Sequence, residues 1–271
     1  MTPGIWLGVT GGKPNVDALL ASGEISASGT VDVDRLKATE TMDARQLDAL
    51  MAQRPLLLHL GHGMIWPRGR RWAARAAALA RRTATPWLSV HLDLGWTFLA
   101  YRWPGPTPVP RALALRWAVR SVRRLKEACQ ASVPGRPPVL VENMPRWSRS
   151  RPAYTADPAF ISAVVEESGC GFLLDLAHAR VAAAYQGEPE RDYLARLPLD
   201  RLVEVHVSGP RPAPGGGPLT DAHQPMLEAD ETLLAWVLAR WRPRAVTLEY
   251  SKDRAQIVAQ LVRLRAMLDR S

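Results

Sequence analysis

Short apolar runs that end in, or just before, an ionisable residue recur along this chain, and that recurrence constrains its fold more than any other feature. Pro55-Leu-Leu-Leu-His59, the run over 86–93 around His91, Pro138-Val-Leu-Val-Glu142, Gly171-Phe-Leu-Leu-Asp175, the run over 202–207 around His206, and the run over 245–249 ending in Glu249 share this form. An apolar run of this length without a polar face suits a strand covered on both sides, as in a parallel sheet flanked by helices. Helical patterns separate the runs: a short one over 16–21, then 43–53, an alanine-rich 70–82, a long one from 110 to about 131, 157–168 with Pro158 in its first turn, 188–196, 231–241 and 254–268. Strands over 5–10 and 24–31, the second diluted by Gly29 and serines, complete a set of eight. Alternating strand and helix over 271 residues with no linker predicts an α/β chain forming one (β/α)8 TIM barrel domain over 1–271.

All strands of such a barrel end on one face, the face on which barrel enzymes keep their chemistry. His59, His91, Glu142, Asp175 with His178, His206, Asp221 with His223, and Glu249 are the residues at or just after strand ends, and five of the chain's six histidines are among them. Any one of these nine alone reads as a half-buried polar residue with its hydrogen bonds satisfied. The set as a whole points to a metal site. Imidazole and carboxylate without thiolate suit zinc, iron or manganese. One ion takes roughly four to six ligands, so nine imply two or three ions, with an acidic residue such as Glu142 bridging neighbours about 3.5–4 Å apart. His62, three residues after His59, is a candidate pocket contact. Asp93 and Asn143 follow ligands closely and are candidates to orient them or to touch substrate; these three make up the expected catalytic set. Trp66, Trp96 and Trp103 lie in loops and read first as packing residues, and the proline-rich stretch 104–110 is long enough to form a lid or a substrate wall.

A formal net charge of +9 raises the question of nucleic acid. The arginines are scattered over 68–82, 111–124 and 263–270, as solvated helix faces would have them, so a nucleic-acid partner is not expected. Cys129 and Cys170 lack the CxxC spacing and read as buried packing residues. No run approaches the roughly 18 apolar residues of a membrane span, and the first residues lack a charged flank and long apolar stretch. A cytoplasmic protein is the expectation.

The chain resembles the multinuclear non-haem iron-dependent oxidases, the xylose-isomerase-like barrels to which the methanobactin-making oxidase belongs. The residues that carry the likeness are Leu58-His59, Ser89-Val-His91-Leu, Val141-Glu142-Asn143, Gly169-Cys-Gly-Phe-Leu-Leu-Asp175, the stretch from Tyr193 to His206, Asp221-Ala-His223 and Leu248-Glu249. The resemblance implies a metal-dependent oxidoreductase with two or three irons and dioxygen as co-substrate. Its substrate would be a residue of a ribosomally synthesised precursor peptide, cysteine or else Asp/Asn, modified in natural-product biosynthesis. A small partner protein that binds the peptide's leader is implied as well. By analogy with trinuclear sites of the superfamily, Asp175 would join Glu142, His206 and Glu249 around one ion, and His178 would join Asp221 and His223 around another. Two departures stand out: His178 replaces a common Asn, and Val90 replaces an acidic residue. The ligand order is also that of the trizinc apurinic-site endonucleases, so a hydrolase of that kind, or a sugar isomerase of the same superfamily, is the alternative.

Overall fold

The computed structural model describes residues 4–61, 70–92, 110–132, 139–146 and 154–271. Eight parallel strands close into a barrel: β1 (Trp6–Thr10), β2 (Arg35–Thr39), β3 (Leu56–Leu60), β4 (Leu88–His91), β5 (Val139–Glu142), β6 (Gly171–Asp175), β7 (Leu202–Val207) and β10 (Ala245–Leu248). Between β7 and β10 the chain inserts β8 (Gly209–Pro212) and β9 (Leu219–Gln224), an antiparallel pair outside the barrel. The helices are α1 (Pro14–Ser22), α2 (Ala44–Gln53), α3 (Arg70–Thr83), α4 (Arg111–Ser132), α5 (Pro158–Ser168), α6 (Leu176–Gln186), α7 (Glu190–Ala195), α8 (Glu228–Leu238) and α9 (Arg254–Leu268).

Period-two alternation sorts each strand. Leu36 and Ala38, Leu56, Leu58 and Leu60, Leu88 and Val90, Val139 and Val141, and Phe172 and Leu174 join the large core cluster that includes the buried faces of the helices. The alternate residues fill the barrel's interior. Leu57, Trp87, Leu140, Leu173 and Ala245 form a second apolar cluster with Trp6 and Val203 against it. Gly171 belongs to this interior layer because a Cβ there would lie 2.6 Å from Leu140 Cδ2. A bulge sets the face of β7: Phe172 pairs with Leu202 but Leu173 pairs with Glu204, so Val203 is the extra residue. The odd count turns Glu204 and His206 inward; without it they would face the helices.

Local chemistry ends the helices where the site needs them. Asp43 and Gln46 form a reciprocal capping box at the start of α2. Asp157 caps α5 ahead of Pro158, and Gly169 at φ 62° closes that helix and sends the chain into β6. Asp175 is both the last residue of β6 and the N-cap of α6, its Oδ1 accepting from the His178 backbone N–H at 2.7 Å.

Several expectations need correction. The strand expected over 24–31 is a series of turns: the Thr30 backbone N–H donates to Glu24 O, and a Cβ on Gly29 would come within 2.1 Å of Gly23 O. The second barrel strand is Arg35–Thr39, which alternates charged and small apolar residues and so resembles no apolar run. The stretch 209–218 forms β8 and the tip of the β8–β9 hairpin, with Gly215 and Gly216 at positive φ. Helix α8 begins three residues earlier than expected because Asp230 accepts from the Leu227 backbone N–H and anchors the first turn. Helix α6 is an addition, almost wholly buried along one side and the next, so it lacks the polar stripe that marks a surface helix.

The remaining expectations on packing agree with the structure. Cys129 and Cys170 are buried free thiols, and burial pushes both up, Cys129 to about 11. Arginines of the outer helices sit on exposed faces, with Arg82 paired to Asp48 and Arg263 to Glu231. Among the described residues, no helix is long and apolar enough to cross a membrane.

Candidate metal centre

Seven of the nine residues singled out above come from the ends of barrel strands or just after them, while Asp221 and His223 come from β9 of the hairpin outside the barrel, and contacts of this pair with His178 and Glu249 gather the set at one face. At the centre lies Glu142, 1% exposed. Its Oε2 is 3.5 Å from His59 Nε2 and 3.4 Å from His91 Nε2, and its Oε1 is 3.4 Å from His178 Nδ1 and 3.8 Å from His206 Nδ1. Among the described residues, two groups have ligand-type atoms within 4.8 Å of one another: His59, His91 and Glu142, and Glu142, Asp175 and His206. Glu142 is common to both. His206 Nδ1 also lies 3.0 Å from Glu249 Oε1. Farther out, Asp221 Oδ2 lies 3.3 Å from His178 Nε2 and 3.1 Å from His223 Nε2. His223 reaches it from β9 with φ at 43°, the left-handed region, where residues other than glycine are uncommon and often functional.

Each buried imidazole has one nitrogen hydrogen-bonded to a group outside the nine-residue set. His59 Nδ1 lies 2.9 Å from Ser89 Oγ, whose hydroxyl donates to Leu58 O. His178 Nδ1 donates to the Asn143 backbone carbonyl at 2.8 Å. His206 Nε2 donates to Glu204 Oε1 at 3.2 Å. In the neutral ring the opposite nitrogen carries the lone pair and faces the carboxylates, the arrangement that sets a metal-ligating tautomer. Asn143 adds a backbone clamp: its Nδ2 donates to Asp175 O at 2.9 Å and its Oδ1 accepts from Asp175 N–H at 2.8 Å. It is fully buried, with its amide committed to holding Asp175.

Four ligand-type atoms in this cluster, Glu142 Oε2, Asp175 Oδ2, His206 Nδ1 and Asp221 Oδ1, are buried with no hydrogen-bond partner. An unsatisfied buried polar atom costs about 1–3 kcal/mol, so four together on one small volume call for a cation. Imidazole nitrogen and carboxylate oxygen are a donor set that fits iron, zinc or manganese.

The electrostatics have the same origin. Burial opposes charge on Glu142, yet His91, His59 and His206 hold its carboxyl below the usual range. For Asp175 burial wins over the neighbouring His178 and pushes the carboxyl up to about 7. Burial also disfavours His178 as a cation, but Asp175, Asp221 and Glu142 outweigh it and raise the imidazole to about 10. Burial, with Lys37 adding to it, drives His59 well below its usual value, and burial lowers His91.

Two residues of the site are absent from the sequence-derived set. Lys37 of β2 is 7% exposed, and its Nζ forms an ion pair with Glu249 Oε1. Glu204 accepts from His206, from Thr247 Oγ1 at 2.8 Å and from the Trp87 indole at 2.7 Å. Glu204 is legible as a period-two partner, two before His206, whereas Lys37 leaves no such signal because Arg35–Thr39 does not read as a strand. His62 and Asp93 lie outside the described residues, as do Trp66, Trp96, Trp103 and nearly all of the 104–110 stretch.

A family model described as the RiPP precursor modification enzyme MbnB/TglH/ChrH matches residues 29–268. Among curated proteins, a UPF0276 protein of Bordetella parapertussis is 35% identical over 140 residues, 49% of this chain and 48% of its own length. One from Caulobacter vibrioides is 32% identical over 153 residues, 55% of this chain and 52% of its own. The chain thus spans about half the length of the curated relatives it matches. Among solved structures, a 3-keto-D-glucoside 4-epimerase from E. coli superposes with a TM-score of 0.65 at 15% identity, covering 97% of this chain and 99% of that one. A D-psicose 3-epimerase from Clostridium cellulolyticum superposes at 0.60 with 12% identity, covering 98% and 95%. At such identities the likeness is one of fold.

Proposed function

The chain belongs to the MbnB/TglH/ChrH family of RiPP precursor modification enzymes, and from that premise we propose that it is a multinuclear non-haem iron oxidase that uses dioxygen to modify a residue of a ribosomally made precursor peptide. The target residue in this reading is cysteine, with Asp or Asn as alternatives, and a small partner protein presents the leader. The observation that carries the metal half of the proposal is the sharing of Glu142 between two ligand groups, with Glu142 Oε2, Asp175 Oδ2 and His206 Nδ1 buried and without hydrogen-bond partners. His59, His91 and Glu142 would hold one ion; Glu142, Asp175, His206 and Glu249 a second; His178, Asp221 and His223 a third. Iron in these positions would supply one-electron chemistry toward dioxygen, which zinc lacks.

The protein's own share is positional. Ser89, Asn143 and Glu204 fix the rings of His59, His178 and His206 and the backbone of Asp175, so the ligand atoms are in place before any ion arrives. The apolar cluster below excludes water from that side. His62 and Asp93 are proposed as substrate contacts, and Asn143 as a residue that positions Asp175.

The test is co-expression with a precursor peptide encoded beside the gene, with and without iron and under air or nitrogen, followed by mass spectrometry of the peptide. An iron- and dioxygen-dependent mass change is expected. A zinc form that cleaves abasic DNA, with no change to any peptide, would move the assignment to the hydrolase reading, which the set of His178, Asp221 and His223 favours.

A further inference from the structure

Beside the candidate metal centre, between the ends of β1 and β2, lies a cavity of about 440 Å³. It shares Lys37, His223 and Glu249 with the centre, and its other walls carry Lys13, Thr39 and Thr41. Glu249 is the one acidic residue among its lining residues. A ligand lying in this cavity would touch the outer edge of the metal cluster.

Lys37 is the unusual feature of that wall. An ammonium buried to this degree is costly unless paired, and an apolar side chain at the same position of β2 would pack more cheaply. Its hydrogen-bond acceptor among the described residues is Glu249 Oε1, the same oxygen that lies 3.0 Å from His206 Nδ1. An ammonium has three donors, so two are left for other acceptors. Once Glu249 serves as a ligand to a metal ion, its negative charge is shared with that ion and the cavity keeps two lysines with no acid of its own. The hydroxyls of Thr39 and Thr41, hydrogen-bonded to each other at 2.8 Å, leave one O–H to donate on the same side. Two cations and two hydroxyls around a concave space match a carboxylate.

We propose that this cavity is a subsite for a carboxylate of the substrate, with Lys37 as the cation that seats it at the edge of the metal centre. The proposal rests on the peptide-substrate reading for the identity of the ligand: the carboxylate is either the chain terminus or an acidic side chain. The competing role for Lys37 is that of a counter-ion to Glu249 alone.

The experiment uses zinc-loaded protein, which binds but does not turn over, titrated by calorimetry with N-acetylglycine, with N-acetylaspartic acid 1-amide and with neutral N-acetylglycinamide. At least one of the two acids should bind while the neutral amide does not, and the tighter acid identifies the source of the carboxylate. Lys37→Met should weaken that binding by about tenfold or more at unchanged zinc content, since a charged hydrogen bond is lost. Lys37→Arg should retain most of it. Should Lys37→Met fail to fold or lose zinc, the double variant Thr39→Val and Thr41→Val decides, with an expected loss of about threefold. Equal affinity in wild type and variant, equal binding of the neutral amide, or no binding of either acid would overturn the subsite. Lys37-dependent binding without modification of any peptide would instead leave the subsite standing and count against the oxidase reading. Peptide modification with Lys37-independent binding would do the reverse.

Discussion

Inside the barrel two layers stand one above the other on the same strands, and they differ in almost every physical respect. The lower layer is Leu57, Trp87, Leu140, Leu173 and Ala245, with Trp6 stacked on Trp87 at 5.5 Å and the Arg35 guanidinium 3.9 Å from the Trp6 ring centroid. Two residues further along, the same strands carry His59, Ser89, Glu142, Asp175 and Thr247. The lower layer is closed by dispersion and area burial; the upper one holds unpartnered ligand atoms at its centre. A single step of the strand repeat therefore separates the part that stabilises the barrel from the part that equips it for chemistry. Glu204 links the two, accepting from Trp87 below and from His206 above.

The sharpest way to break this contrast is to cut into the lower layer. Trp87→Ala should cost about 3–5 kcal/mol of unfolding free energy, read from denaturant curves of the metal-free protein, because it opens a cavity and strips Glu204 of a donor. Glu142→Ala should cost less than that in the same measurement, yet release more metal than any other single replacement at the site. Elemental analysis with more than one ion per chain retained in the Glu142 variant would refute a shared ligand.

Two smaller effects would sharpen the picture within the upper layer. His178→Asn should empty the position between His178, Asp221 and His223 while leaving ions at Glu142, since an amide is a poorer donor than imidazole; anomalous scattering from crystals at each position reads this out. Loss of every ion would mean the three sets are not separable. Glu204→Gln should weaken metal affinity by about 10–100-fold, the range for residues that orient a ligand, in competition with a chelator. An unchanged affinity would make Glu204 a partner of Trp87 only.

The smallest expected effect is on pH. Burial raises Asp175 to about 7, so a proton competes with metal there below that value. Metal occupancy at limiting free metal should rise as pH increases through about 7 and fall as it decreases, and Asp175→Asn should flatten that part of the profile. A profile equally steep in the variant would place the competing proton elsewhere.

Much of this was legible in the residues. The lower layer and the outward faces are readable as apolar runs, and His59, His91 and His206 at run ends mark the upper layer. Asn143 was readable as a neighbour of Glu142, but not its clamp on Asp175, which depends on β5 and β6 lying side by side. Lys37 escaped notice because Arg35-Leu-Lys-Ala-Thr39 looks like an exposed segment, and only its place in a closed barrel turns its charged side inward.

The amino-acid order by itself determined the alternation of strand and helix and the barrel it implies, and it singled out nine histidines and acids as candidates, because burial on two faces leaves a one-dimensional trace of apolar runs. Tertiary structure alone decided which atoms meet. The extra residue Val203 that turns His206 inward, the second barrel strand at Arg35–Thr39, and the pairing of Lys37 with Glu249 across 212 positions of sequence all depend on closure of the sheet. Register and closure are set by the packing of many side chains at once, and such a sum leaves no local mark on the chain.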